Sequence, residues 1–255
     1  MPLLQVGNRT VSCQGILFDK DGTLLDFMSM WGAWAELVLI GMEKNLKQRG
    51  TEFIGNSAKW LGTEHDASGK VIGYDPRGPL PMATTDETHG LLAWQLYAAG
   101  APWNEALAQV THITSEAMKE VRKRRIATPI EGVVSFLKQC NHASIKLGVV
   151  TSDEAGTTAE HLEWLGITEL FGTIVTRDRV KYGKPATEMV ELACQELGLT
   201  PESTILIGDS NADMQMGKAA GLCLTIGIAG QEGNNGHLIQ ADTIITDFTE
   251  LLVTP

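Results

Sequence analysis

Two carboxylates separated by one residue close an apolar run near the start of the chain: ILFDKDGTLLD, residues 16–26, carries Asp19 and Asp21. A carboxylate at the end of a buried strand is desolvated, and a second beside it adds repulsion, so the pair needs a compensating cation. A further acidic segment, GDSNADMQMGKAAG (208–221), offers Asp209 where another apolar run stops and Asp213 in the first turn of the helix that follows. Ser210 or Asn211 can cap that helix and Gly221 can end it. If the two strand ends are neighbours, four carboxylates converge. At about 4 Å each like-charged pair then costs a few kcal/mol at an intermediate dielectric. An all-oxygen donor set with no His or Cys close in sequence suits Mg²⁺ better than Zn²⁺. Lys184 in YGKPA stands just ahead of a helix, and Thr151 ends the run KLGVV, with Ser152 next. An aspartate nucleophile with Mg²⁺, a lysine and a hydroxyl is a set suited to phosphoryl transfer, where stabilisation must lie where charge develops.

Strands whose ends meet are needed to position these groups, and the second half of the chain supplies them. IKLGVVTS (145–152), GTIVT (172–176) and STILIGDS (203–210) each precede a helical pattern, near 157–165, 186–197 and 211–220; LCLTIGIA (222–229) and DTIITDF (242–248) follow. Apolar runs alternating with helices predict an α/β fold built on a parallel sheet with crossover helices. VSCQGILFD (11–19) reads as one more buried strand. Ligands of such sheets bind at the carboxyl ends of the strands, which is where Asp19, Thr151 and Asp209 fall. Between about 27 and 127 the pattern is helical, in MWGAWAELVLIGMEKNLKQR, ETHGLLAWQLYAAG and PWNEALAQVTHITSEAMKEVRKRR, with a Gly- and Pro-rich loop expected over 66–87. Pro129 marks the return, and IEGVVSFLKQC starts a helix leading back to the sheet.

The chain has 255 residues, of which 43% are hydrophobic and 20% charged, with a formal net charge of −11. Such acidity argues against nucleic acid as a partner but leaves room for a small anion gathered by a local cation. Cys13, Cys140, Cys194 and Cys223 are far apart and form no CxxC, so buried, reduced thiols are expected. MPLLQVGNRT has no basic start and no long apolar run, and WGAWAELVLIGM is broken by Glu36. A cytoplasmic protein without membrane contact is the expectation. The basic run RKRR (122–125) reads as a solvated helix face, Arg77 as a loop residue able to meet an anion, and GQEGNNG (230–236) as a surface loop.

FDKDGTL, VVTSD, GKPA and GDSNADMQMGKAAG resemble, in order, the four signature motifs of the haloacid dehalogenase superfamily, over about residues 16–221. The resemblance implies a Rossmann-like core, residues 1–26 and 127–255, and a mobile helical cap, residues 27–126, inserted after the first strand. The placing of the insertion is similar to that of the phosphoglycolate phosphatase and β-phosphoglucomutase branch. Carried over residue by residue, it implies Asp19 as nucleophile forming an aspartyl-phosphate and Asp21 as acid/base, with Asp21 also offering its backbone carbonyl to Mg²⁺. Thr151, Ser152 and Lys184 would hold the phosphoryl group. Asp209 would ligate Mg²⁺, and Asp213 would do so through water or orient Lys184. The ion pumps of the superfamily carry threonine at the position of Asp21, and its dehalogenases and phosphonatases lack that aspartate; Asp21 therefore favours a phosphate ester. The expected function is a Mg²⁺-dependent phosphatase acting on a small phosphorylated metabolite. A sugar phosphomutase is the alternative, and a non-catalytic binding protein on this fold the remote one. After Asp26 comes FMSMW, where related enzymes commonly have a serine; Phe27, Met28 and Trp31 are the candidates for the substrate face.

Overall fold

The computed structural model describes residues 2–229 and 236–254, so the expected loop over 230–236 lies, apart from Gly236, outside the described residues. The chain begins with β1 (Leu3–Val6), β2 (Arg9–Ser12) and β3 (Gly15–Phe18). The single strand expected over 11–19 is corrected: the segment divides between two sheets. β2 is largely exposed and pairs antiparallel with β1, whereas all four residues of β3 are buried. Exposed Ser12 and Gln14 flank the break. Contacts divide the chain into two compact units, Met1–Asp26 with Ala127–Pro255, and Phe27–Ile126.

The second unit contains a π-helical turn (Met28–Gly32), α1 (Ala33–Gln48), α2 (Ser57–Leu61), β4 (Thr63–His65), β5 (Val71–Tyr74), α3 (Pro79–Met82), α4 (Thr85–Ala98) and α5 (Trp103–Arg124). In α5, Ala106, Val110, Ile113, Ala117 and Val121 are buried at spacings of three and four, giving one apolar stripe. Arg122, Lys123 and Arg124 close that helix, where cations favour its dipole, and they are exposed. The loop expected over 66–87 is also corrected. Asp66 Oδ1 accepts from the backbone N–H groups of Ser68 and Lys70, and Gly69 turns at φ +86°, which closes β4 and β5 into an antiparallel hairpin. Thr84 and Glu87 then form a capping box that starts α4 inside the expected loop. Arg77 is exposed and pairs with Asp75 at 3.5 Å.

The first unit resumes with α6 (Val133–His142), β6 (Lys146–Val150), α7 (Ala155–Leu165), β7 (Thr173–Val175), α8 (Glu188–Leu197), β8 (Thr204–Gly208), α9 (Asn211–Ala219), β9 (Leu224–Ile228), β10 (Thr243–Ile245) and β11 (Leu251–Thr254). The expected parallel sheet is present, six strands in the order β10-β9-β8-β3-β6-β7, with β3 between β8 and β6. Both faces of β3 are covered: Ile16 and Phe18 join one apolar cluster and Leu17 the other. That explains why these strands are continuous apolar runs rather than alternating ones. The ring of Phe18 meets those of Phe136, Phe171 and Phe248 at 6.3, 6.1 and 6.1 Å, anchoring the strand end just before Asp19. β1, β2 and β11 form a separate antiparallel sheet. The four cysteines are free, with burial pushing the Cys13 and Cys140 thiols up to about 12. Among the described residues no helix is long and apolar enough to cross a membrane.

Candidate active site

Register places the reacting groups level with one another. Phe18 pairs with Val149 of β6 and Ile207 of β8, so Asp19 is level with Val150 and Gly208, and Thr151 and Asp209 each stand one position beyond. The Asp19 N–H donates to Ile207 O at 2.9 Å and the Thr151 N–H to Val175 O at 3.0 Å, so the ladders run to the strand ends. After Asp19 the chain folds tightly, with the Gly22 N–H donating to Leu25 O at 2.8 Å. Gly22 sits at φ +76°, and a Cβ there would come 2.1 Å from Asp209 Oδ2, so both the turn and the close approach require glycine. The segment is tied back where the chain re-enters this unit: Asp26 N donates to Thr128 O and Ile130 N to Leu24 O.

Lys184 reaches this strand end from the loop before α8. Its ammonium lies 2.5 Å from Asp19 Oδ1 and 2.6 Å from Asp213 Oδ1, with the lysine side chain only 6% exposed. Asp213 is held by its own helix cap: Ser210 Oγ donates to Asp213 Oδ2 at 2.6 Å, and Ser210 N donates to the same oxygen. Both oxygens of Asp213 are thus engaged, one by the cap and one by Lys184. Asp209 contributes the third carboxylate; donor oxygens of Asp19, Asp209 and Asp213 all lie within 4.8 Å of one another. Among the described residues no lysine or arginine is ion-paired with Asp209.

Asp21 turns to a different cation. Lys20 is wholly buried, with its ammonium 2.5 Å from Asp21 Oδ2, 3.0 Å from Asp153 Oδ2 and 3.0 Å from His161 Nδ1. Of the four carboxylates expected to converge, Asp19 and Asp213 pair with Lys184, Asp209 stands beside them with no ion pair among the described residues, and Asp21 pairs with Lys20. Thr151 is buried and its Oγ1 accepts from the Asp153 N–H at 3.2 Å, while Ser152 is exposed. Phe27, Met28 and Trp31 belong to the second unit, where Phe27 stacks on Tyr74 at 4.5 Å and Trp31 packs on Trp34 at 5.8 Å. Lys20, Asp153, His161 and His237, whose Nε2 meets Asp209 O at 2.9 Å, are the residues that sequence reasoning did not single out. The one available signal concerned Lys20, a cation between two acids at the end of an apolar run.

Burial dominates the electrostatics. It pushes the Asp19 carboxyl up to about 6, with Lys184 opposing the rise and Asp213 and Asp21 adding to it. Burial also raises Asp209 well above the usual carboxylate range, and the Asp19 and Asp213 charges raise it further. Burial disfavours the Lys184 ammonium, but the Asp19 and Asp213 charges outweigh it and hold this lysine above its usual range. A desolvated carboxylate cluster with one lysine and only oxygen donors fits a hard divalent cation, with Asp19 and Asp209 offering ligand atoms and Asp213 behind them. A pH test follows. The Asp19 carboxyl binds its proton more tightly in the fold, about 6 against 3.8, so the metal-free fold loses stability as pH rises through that window. A bound divalent cation offsets that loss. The Tm gained on adding Mg²⁺ over EDTA is expected to be larger at pH 7.5 than at pH 5; equal gains at both would count against a metal at Asp19.

Comparison with known proteins finds relatives along most of the chain. A family model described as haloacid dehalogenase-like hydrolase matches residues 74–226. A phosphoglycolate phosphatase of Salmonella typhi is 27% identical over 258 residues, spanning 96% of this chain and 93% of that protein. Pyrophosphatase PpaX of Oceanobacillus iheyensis is 26% identical, spanning 95% of this chain and 96% of its own. The crystal structure of a predicted phosphoglycolate phosphatase from Haemophilus somnus superposes with a TM-score of 0.68 at 17% identity, over 94% of this chain and 96% of that one, a likeness of fold.

Proposed function

The chain belongs to the haloacid dehalogenase-like hydrolases, and from that membership we propose a phosphatase that hydrolyses a small phosphate monoester through an aspartyl-phosphate on Asp19, with Mg²⁺ as cofactor. Residues 1–26 and 127–255 act as its catalytic core and 27–126 as its cap. The observation that carries the reading is the Lys184 ammonium bridging Asp19 and Asp213 beside Asp209 at the end of the central strand. Two relatives named for phosphate ester and phosphoanhydride hydrolysis support the substrate class. Four free thiols fit a reducing, cytoplasmic setting.

In the first step a carboxylate oxygen of Asp19 forms a bond to phosphorus as the ester P–O bond breaks, and the proton carried by Asp21 passes to the departing alkoxide. In the second, water gives its proton to the Asp21 carboxylate while its oxygen attacks phosphorus, releasing phosphate and restoring Asp19. Lys184 and the hydroxyl of Thr151 hold phosphoryl oxygens, and Ser152 offers its backbone N–H there. Asp213 keeps Lys184 in place from its capped position. When bound at Asp19 and Asp209, with the backbone carbonyl of Asp21, Mg²⁺ supplies charge neutralisation for the phosphoryl group and the nucleophile.

A panel of phosphorylated metabolites, including phosphoglycolate and pyrophosphate, tests this with Mg²⁺ and with EDTA. Phosphate release is expected from at least one monoester, only with Mg²⁺. Release no greater than that of Asp19→Ala across the panel would sink the proposal.

A further inference from the structure

Lys20 has no task in the reaction as written, yet its side chain is fully buried beside the site. Its ammonium is 0% exposed and lies one residue from each reacting aspartate. A buried ammonium is tolerated only when its charge and its donors are matched. The match here is complete in number: an ammonium has three N–H donors, and three partners stand at 2.5, 3.0 and 3.0 Å, Asp21 Oδ2, Asp153 Oδ2 and His161 Nδ1. They come from three separate elements: the loop after β3, the loop after β6, and α7. An ammonium only donates, so Nδ1 of His161 accepts and the ring proton sits on Nε2. The Trp164 ring, 5.1 Å away, packs against that imidazole.

This arrangement excludes two other roles for Lys20. With its donors spent on protein groups it has none to offer a phosphoryl oxygen, unlike Lys184. The donors of Asp21, Asp153 and His161, which lie within 4.8 Å of one another and have the spacing of a metal site, surround an ammonium instead. Of the three partners, only Asp21 has a part in the chemistry; Asp153 and His161 serve as fixed anchors.

We propose that Lys20 is a positioning residue: its ammonium, anchored on Asp153 and His161, fixes Oδ2 of Asp21 and so sets the orientation from which that carboxyl exchanges its proton with the leaving group and with water. This rests on the reading of Asp21 as the acid/base. Proton transfer is worth about 10²–10⁴-fold and depends on hydrogen-bond geometry, so a carboxyl left to rotate loses part of that factor without losing the nucleophile.

The experiment uses the full chain with Mg²⁺ and two esters, an alkyl phosphate, whose leaving group needs a proton, and 2,4-dinitrophenyl phosphate, whose leaving group does not. Lys20→Met leaves Asp21 and Asp153 facing each other and can fail to fold. Lys20→Met with Asp153→Asn removes the cation and one carboxylate together and serves as the second variant. For whichever folds, the first equivalent of dinitrophenolate is expected in a burst within about threefold of the wild-type rate. Steady turnover of both esters then falls about 10- to 100-fold; for the dinitrophenyl ester KM falls with kcat, because phosphorylation and hence kcat/KM are kept. In the Asp21→Asn background, Lys20→Met should add less than about twofold, because the two act as one unit. Wild-type turnover in the Lys20 variants, a burst slowed as much as turnover, or a full additive loss in the Asp21→Asn background would each overturn the positioning role. Wild-type turnover by Asp21→Asn itself would instead overturn the acid/base reading, a result independent of the Lys20 variants.

Discussion

Asp19→Asn is expected to abolish turnover while leaving the fold as stable as before, or more so. The substitution keeps the shape of the side chain and an oxygen able to accept from Lys184, now 2.5 Å from Asp19 Oδ1. It removes the nucleophile, because an amide oxygen does not form a stable acyl-phosphate. Losing a covalent nucleophile costs at least about 10⁴-fold in kcat. Stability responds in the opposite direction. Burial pushes the Asp19 carboxyl up to about 6 even with Lys184 beside it, so at pH 8 the ionised group is a net liability to the metal-free fold. A neutral amide carries no such cost. The expected result is no phosphate release, no acid-stable label from a radiolabelled ester, and a Tm in EDTA at pH 8 equal to or above wild type. More than a hundredth of wild-type turnover would show that Asp19 is not the nucleophile.

The sequence exposes this site because apolar runs that stop at polar residues mark the ends of buried parallel strands. β3, β6 and β8 all read that way, and their order of adjacency then brings Asp19, Thr151 and Asp209 level. What it leaves hidden has physical reasons. β3 ends at Phe18, so Lys20 and Asp21 lie in the turn beyond it, where strand alternation no longer says which way a side chain points. Nothing in a linear sequence says that Asp153 and His161, more than a hundred residues on, wait there to receive Lys20. The hairpin of β4 and β5 is equally faint. Only VIGY is strand-like, it is four residues long, and Gly69 and Gly73 dilute its pattern. The sheet of β1, β2 and β11 joins the two ends of the chain, and pairing at that separation leaves no local trace. Asp213 illustrates the converse: one short motif, Ser210 to Asp213, prescribes both a helix cap and the carboxylate that braces Lys184.

Lys184→Met should produce the same loss of turnover as Asp19→Asn with the opposite effect on stability, and the contrast separates the two halves of the ion pair. Methionine keeps much of the buried stem but strips a cation that touches both Asp19 and Asp213. Removing one partner of a buried pair costs about 3–5 kcal/mol, because the remaining charge is left desolvated. Here two carboxylates are left, with Asp209 close by. Without that cation the Asp19 carboxyl, already raised by burial, rises further above its unfolded value, so the folded variant binds more protons than the unfolded chain and loses stability as pH rises. In EDTA the Tm deficit relative to wild type is therefore expected to be largest at pH 8 and to shrink at pH 5. Adding Asp213→Asn, which removes one of the orphaned charges, should recover part of the pH 8 deficit and none of the activity. A deficit that is the same at both pH values would mean that Lys184 contributes packing rather than charge to the site.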